Sequence, residues 1–332
     1  MSNKQIKVML VSRESTDNNS IWLKQFPNNE PKWNNCYFIT NPNETNYDWF
    51  VCRNDIPYIY KNKINLNCNL NKTILFTTEP SSITRYGKKF AQQFGYLLTS
   101  QEKNILPHIN AIRSPTGNVW HYGKSYDKII NQKPIHKNKR LSTVCSTKQM
   151  KHTIHANRLK FTNKLKGDIS ILDLYGKGHN YIEKKYQAID PYEFHLAIEN
   201  YSAPHHFTEK LTDAFLGYSV PIYYGCSNVY DYFPEESIIL IDIYDYKASL
   251  KKIQSIINNK NEYNKRFDAI VEARNRVLKK YNLPSLISSI IETEDKKIKN
   301  ELIKKNFYSR RAMRAKHPSE FLSYINWKIK NI

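Results

Sequence analysis

Cysteine is scarce and unpaired in this 332-residue chain: Cys36, Cys52, Cys68, Cys145 and Cys226 form no Cys-x-x-Cys pair. An odd number at wide spacing argues against a structural zinc site or a disulfide framework and fits a reducing compartment. Acidic residues are also in short supply, 30 Asp and Glu against 51 Lys and Arg, for a formal net charge of +21. That field favours a polyanion, whether nucleic acid, anionic lipid or a phosphorylated substrate, and charge alone does not separate the three. No run approaches the roughly 18 uninterrupted apolar residues of a membrane-spanning helix. The opening apolar run, Ile6 to Val11, is broken by Lys7 and is too short for a signal sequence. No Asp-x-Asp metal motif occurs, since Asp242-Ile243-Tyr244-Asp245 has the wrong spacing. His205-His206 and the pair His152 and His155 lack coherent carboxylate partners, so no metal site is expected.

What is present reads as an α/β protein of two domains, each of roughly 150 residues. Residues 5–12, 48–52, 73–77 and 96–99 have the short, continuously apolar character of buried strands, and residues 81–94 have helical spacing. The polar, basic stretch 127–140 with its proline is the expected linker, separating an N-terminal domain, 1–126, from a second, 141–294. In the second domain strands are expected at 142–146, 169–176, 194–198 and 220–225, with helices at 152–165 and 208–218. Ligands of such sheets sit beyond the strands' C-terminal ends. The tail, 295–332, carries eleven Lys and Arg against three Asp and Glu, with aromatics interleaved, and Pro318 divides it. It is expected to pack back on the N-terminal domain, to lie on an anionic membrane surface, or both.

Three places point to chemistry. Thr208-Glu209-Lys210 opens a helix: Thr208 is placed to cap it, and the free N–H groups of a helix start suit a diphosphate. Lys210 in the first turn runs against the usual acidic preference there, which makes sense if an anion visits. Glu209 can accept from a ribose diol. Arg158, in the first helix of the second domain, can grip phosphate oxygens with two N–H groups at once. Glu79 stands where a strand ends before Pro80, a position suited to a general base. Each has a plainer alternative: a capped surface helix, a surface arginine, a carboxylate at a helix start.

The stretch 194–234 joins these features. An apolar strand is followed by Glu199-Asn200, then Thr208-Glu209-Lys210, then Val220-Pro221-Ile222-Tyr223-Tyr224-Gly225 and Phe233-Pro234. This order and spacing resemble glycosyltransferase family 10, the α-1,3/1,4-fucosyltransferases. The resemblance implies a GT-B fold, two Rossmann-like domains facing across a cleft, here with a basic helical tail. It implies an inverting transfer of fucose from GDP-fucose to a hydroxyl of an acceptor glycan of the cell-surface polysaccharide or lipopolysaccharide type. No cofactor and no obligatory metal are implied. Residue by residue it puts Arg158 and Lys210 on the donor phosphates and Glu79 in the role of base. Glu209 is placed on the ribose, and Asn200 on phosphate or sugar. Glu199, Thr208, His206 and Tyr224 complete the donor side. The sequence departs from the family at Ile198, where an aromatic is usual, and at His206, where tyrosine is frequent. In the family the loop that carries His206 lies near the donor sugar or base, so a different nucleotide sugar is the alternative. A Golgi-type enzyme needs an anchor and none is visible here, so the expected place is cytoplasmic, on or near the inner membrane face. More distant alternatives are a sugar-binding relative without activity and a basic nucleic-acid-binding protein. The latter would lack any RRM, KH or zinc-finger signature.

Overall fold

The computed structural model describes residues 5–15, 20–115, 119–147, 153–298 and 306–330. The chain forms two compact units, Met1–Gly117 joined by Leu283–Ile332, and Asn118–Asn282.

Among the described residues the N-terminal part of the first unit supplies eight strands: β1 (Ile6–Ser12), β2 (Lys32–Trp33), β3 (Cys36–Ile39), β4 (Trp49–Arg53), β5 (Lys63–Asn65), β6 (Thr73–Phe76), β7 (Tyr96–Thr99) and β8 (Ala111–Arg113). Seven of them make one sheet in the order β2-β3-β1-β4-β6-β7-β8, parallel except for β2. The central strands are apolar along their whole length, because a parallel sheet is covered on both faces. Thus Trp49, Phe50, Val51 and Cys52 of β4 are all fully buried. The chain runs from β1 outward to β3, then returns to the other side at β4. The loops after β1 and β4 therefore diverge, and this is the switch point at which open α/β sheets hold ligands.

The second unit carries β9 (Lys139–Val144), β10 (Leu172–Tyr175), β11 (Tyr192–Ile198), β12 (Val220–Tyr224) and β13 (Ile239–Leu240), all parallel, in the order β10-β9-β11-β12-β13. Its switch point lies between β9 and β11. A last strand, β14 (Asn306–Tyr308), returns to the first unit and pairs antiparallel with β5.

Several sequence expectations shift. The helix expected over 81–94 shrinks to Lys88–Ala91. Gly87 stands before it at φ +94°, a left-handed backbone that separates Pro80–Tyr86 from the helix. The strand expected at 169–176 begins only at Leu172, because Ile169 still donates to the carbonyl of Leu165 and closes the helix His155–Asp168. The first residues expected in that helix, around His152, lie outside the described residues. The expected linker 127–140 is folded into the second unit: it holds part of the helix Tyr126–Ile130 and the start of β9. Lys128, Lys133 and Lys139 are exposed, but Lys137 is half-buried and its ammonium donates to the carbonyls of Asp190 and Gly217 at 2.8 and 2.5 Å. At the other end, the helix Leu283–Glu294 belongs with the first unit, where Glu292 accepts from the backbone N–H of Asn35 at 2.9 Å.

The tail does not hang free. Phe307 of β14 is fully buried, its ring 5.0 Å from that of Phe94 and 6.3 Å from that of Phe50. The helices Arg310–Lys316 and Pro318–Lys330 follow. Arg310 pairs with buried Asp55, and the Glu320 carboxylate accepts from the N–H groups of Lys88 and Lys89, which open the short helix after Gly87. Trp327 donates its indole N–H to the carbonyl of Ser81 at 2.8 Å. Among the described residues no helix is long and apolar enough to cross a membrane.

Candidate active site

The helix Glu209–Leu216 begins as the sequence suggests. Thr208 has extended backbone angles and its hydroxyl accepts from the N–H of Lys210. What fixes Thr208 is Glu199, at the end of β11. That carboxylate is fully buried and accepts from the Thr208 N–H and from its hydroxyl, both at 2.7 Å. Glu199 in turn needs Gly225. A β-carbon at position 225 would overlap the Glu199 Cγ and the Tyr223 hydroxyl, so the turn after β12 passes this close only as glycine. The Glu-Asn, Thr-Glu-Lys and Val-Pro-…-Gly pieces are thus parts of one bonded cluster.

Lys210 lies over this cluster. Its ammonium reaches the Thr208 hydroxyl at 3.1 Å, the Glu209 carboxylate at 3.0 Å and the Glu199 carboxylate at 3.6 Å. Burial by itself would lower its pKa, but Glu209 and Glu199 outweigh that and raise it. Burial would raise the Glu209 carboxyl, yet the ammonium groups of Lys210 and Lys185 bring it down to about 2. Both groups are therefore charged at neutral pH.

Arg158 sits one turn into the helix His155–Asp168 and is buried. Its Nε–H has no hydrogen-bond partner among the described residues, an unusual state for a buried guanidinium. Arg158, Lys185 and Lys210 line one crevice, whose floor is formed by the C-terminal ends of β9 and β11, from Thr143 to Cys145 and from His195 to Ile198. That is the switch point of the second sheet. The crevice is narrow, about 10 Å³, but its three cations, two of them backed by buried carboxylates, set a positive field at its mouth that suits a polyanion such as a diphosphate.

Sequence reasoning missed Lys185. Its ammonium donates to the Glu209 carbonyl at 3.2 Å and to Asp213 at 2.9 Å, bracing the first turn of the helix. The Asp213 side chain is wholly buried, its carboxyl is pushed up by that burial, and its second oxygen has no partner among the described residues. Lys185 stands in a Glu-Lys-Lys run that reads as ordinary surface. His195 beneath the crevice is buried and hydrogen-bonded through Nδ1 to the Ser142 hydroxyl at 2.8 Å. Burial, aided by Lys185, lowers its pKa to about 3, so it is neutral.

The remaining expected residues flank this hollow less directly. Asn200 follows Glu199, its backbone carbonyl accepts from Ile154, and its buried side-chain oxygen has no partner among the described residues. His206 is buried with its ring 5.7 Å from that of Tyr201. Tyr224 ends β12, half-buried, its ring 6.0 Å from that of Tyr244.

Glu79 belongs to the first unit, in the loop after β6. The loop is held from three sides. Asn54 clamps Thr78, donating to its hydroxyl at 2.7 Å and accepting its N–H at 2.8 Å. The Glu79 N–H donates to the hydroxyl of buried Tyr86 at 3.3 Å, and the Glu79 carbonyl accepts from Gln101 at 2.9 Å. Glu79 is half-buried on this loop.

The second-unit cluster has counterparts in known proteins. Residues 134–301, half of the chain, match the profile described as glycosyltransferase family 10 (fucosyltransferase) C-term. The chain belongs to glycosyltransferase family 10. Over 87 residues it is 41% identical to an α-(1,4)-fucosyltransferase of Arabidopsis thaliana, covering 24% of this chain and 22% of that one. It is 29% identical over 87 residues to the α-(1,3)-fucosyltransferase FucT of Helicobacter pylori, covering 26% and 18%. The human 4-galactosyl-N-acetylglucosaminide 3-α-L-fucosyltransferase 9 is 33% identical over 110 residues, covering 32% and 30%. The chain thus spans between 18% and 30% of the length of these three family 10 relatives. A crystal structure of an α1,3-fucosyltransferase with GDP-fucose aligns over 85% of this chain and 94% of its own, at 17% identity and a TM-score of 0.50. That likeness, with the two parallel sheets, places this family 10 chain in the GT-B fold class.

Proposed function

We propose that this chain is an inverting glycosyltransferase that moves fucose from GDP-fucose to a hydroxyl of an acceptor glycan. One observation carries the reading: Arg158, with an unmatched buried N–H, and Lys210, on the capped helix start, share one crevice at a sheet switch point. The choice of fucose rests on the names of the family 10 relatives. In this scheme the diphosphate sits at the mouth of the crevice, and Arg158 and Lys210 offset the charge that builds on it as the bond to the sugar breaks. With these cations in place, the reaction needs no resident metal. Glu209 accepts from the ribose hydroxyls. The buried side-chain oxygen of Asn200 takes a donor hydroxyl, and His206 and Tyr224 border the sugar. Glu199 acts through Thr208 and is a positioning residue. Lys185 braces the same turn. Glu79 takes the proton of the attacking hydroxyl, which displaces GDP from the opposite face and inverts the anomeric carbon. The acceptor we propose is a glycan of the cell-surface polysaccharide or lipopolysaccharide type, met in the cytoplasm at the inner membrane face, with the basic tail resting on anionic lipid.

The test is transfer from radiolabelled GDP-fucose by the wild type, Lys210→Ala and Glu79→Gln. Loss of one preorganised charge contact costs about 3 kcal/mol, roughly 100-fold in rate. Near-normal turnover in either variant removes that residue from the scheme. No transfer and no GDP-fucose binding by the wild type would remove the donor assignment itself.

A further inference from the structure

We infer that the acceptor carries an anionic group, held by Arg13 and Arg53 at the switch point of the first sheet. This deepens the acceptor half of the function proposed above.

β1 and β4 are neighbours in register, Ser12 opposite Arg53, and their loops diverge to either side. Arg13 follows the end of β1, and Arg53 is the last residue of β4. The two loops are joined. The Tyr58 N–H donates to the Arg13 carbonyl at 3.1 Å, and the Arg13 guanidinium lies 4.4 Å over the Tyr58 ring. The Arg53 guanidinium lies 5.7 Å from the ring of buried Trp22. Stacking on an aromatic face fixes the plane of a guanidinium while leaving its edge N–H groups directed outward.

Those N–H groups are open. Neither Arg13 nor Arg53 makes a side-chain hydrogen bond or ion pair with any described residue, and both are half-buried. Four other arginines of this unit are engaged: Arg310 with Asp55, Arg113 with the carbonyls of Gln101 and Leu106, Arg85 with Ser323, and Arg314 with the carbonyl of Arg85, while Arg311 is exposed. Glu14, next in sequence to Arg13, is exposed and forms no ion pair with it. Two half-buried guanidiniums with unmatched donors, on adjacent strand ends, are suited to a carboxylate or phosphate gripped by paired N–H groups. Tyr58 is 64% exposed and offers the rest of its ring to the apolar face of a sugar. The site is also one clamp away from the candidate base, because Asn54, directly after Arg53, holds Thr78 beside Glu79. A neutral glycan would offer the guanidiniums hydroxyl acceptors but no opposite charge. An acidic one would satisfy them and bring its hydroxyls to the Glu79 loop.

The experiment is calorimetric titration of the full chain, without donor, with three probes. They are a glucuronic-acid-terminated trisaccharide, its glucose-terminated twin, and that neutral trisaccharide bearing a 1-phosphate. At least one anionic probe is expected to bind about tenfold tighter than the neutral one, and which one does so distinguishes a carboxylate sugar from a phosphate. The preference should shrink as sodium chloride is raised and vanish in Arg13→Gln combined with Arg53→Gln, while GDP-fucose binding stays unchanged. Equal binding of all three probes, no binding of any, or a preference that survives the double substitution would overturn the inference. The wild-type comparison and its salt dependence need no variant. Because no donor is present, failure of the fucose assignment leaves this outcome readable.

Discussion

Glu199 holds Thr208 with both carboxylate oxygens, one on its backbone N–H and one on its hydroxyl, each at 2.7 Å. The grip sets the first turn of the helix that presents Lys210. It also explains why a buried carboxylate belongs beneath a site for anions: it keeps a neighbouring ammonium protonated and fixed. Glu199→Ala is expected to cost about 3 kcal/mol in urea unfolding, since it leaves Lys210 without its deepest partner. Glu199→Gln keeps the shape and should cost about 1 kcal/mol, while GDP-fucose affinity falls in both. Wild-type donor affinity in Glu199→Ala would show that Thr208 is positioned by something else.

Gly225 and Gly167 make a matched pair of substitutions. Alanine at 225 meets Glu199 and Tyr223, whereas at 167, within the helix His155–Asp168, nothing lies within 4 Å of the added methyl. Gly225→Ala should destabilise by about 2 kcal/mol and weaken donor binding. Gly167→Ala should stabilise by about 0.5 kcal/mol and leave donor binding alone. Thermal melts with and without GDP-fucose read both quantities.

His195 predicts an acid limb of stability. Its folded pKa, about 3, lies below its ordinary 6.5 because of burial and then of Lys185. As pH falls below 6.5, the unfolded chain takes up a proton that the folded chain refuses. The contribution is complete above 6.5 and is lost toward 3, at about 1.4 kcal/mol per pH unit. Urea midpoints measured across that range should flatten in His195→Asn, which retains a polar group for Ser142. An unchanged slope would mean that other groups carry the acid limb.

The tail should be tested by point changes and not by deletion. Removing residues 306–330 takes Phe307 out of the core and leaves Asp55 without Arg310, so insolubility or a much lower melting temperature is expected. Phe321, Leu322 and Ile329 are 50%, 61% and 69% exposed and can be changed to serine without opening the core. That triple variant should melt like the wild type and bind anionic vesicles about tenfold less in co-sedimentation. Equal binding would discard the membrane role.

Some of this was legible in the sequence for physical reasons. Continuous apolar runs such as Val8–Val11 and Phe50–Cys52 can only be buried strands of a covered sheet. A threonine before Glu-Lys marks a helix start. Arg158 and Lys210, far apart in sequence, were paired by motif, and the fold brings them to one hollow. Lys185 and Lys137 were not legible, because a lysine that donates inward to carbonyls has the same letter as one in solvent. Nor was the pairing of β14 with β5, whose residues Lys63-Ile64-Asn65 carry no strand signature by themselves. The short helix at Lys88 misled the periodicity, since its N–H groups are capped by Glu320, more than two hundred residues away.

The pairing of β14 with β5 also dictates an order of assembly. During synthesis the middle unit, Asn118–Asn282, is contiguous and can close as soon as it emerges. The first unit is made first but must wait, with the Phe50 and Phe94 faces uncovered, until Phe307 leaves the ribosome. Nascent chains stalled before that residue should therefore lean on chaperones at the segment translated earliest.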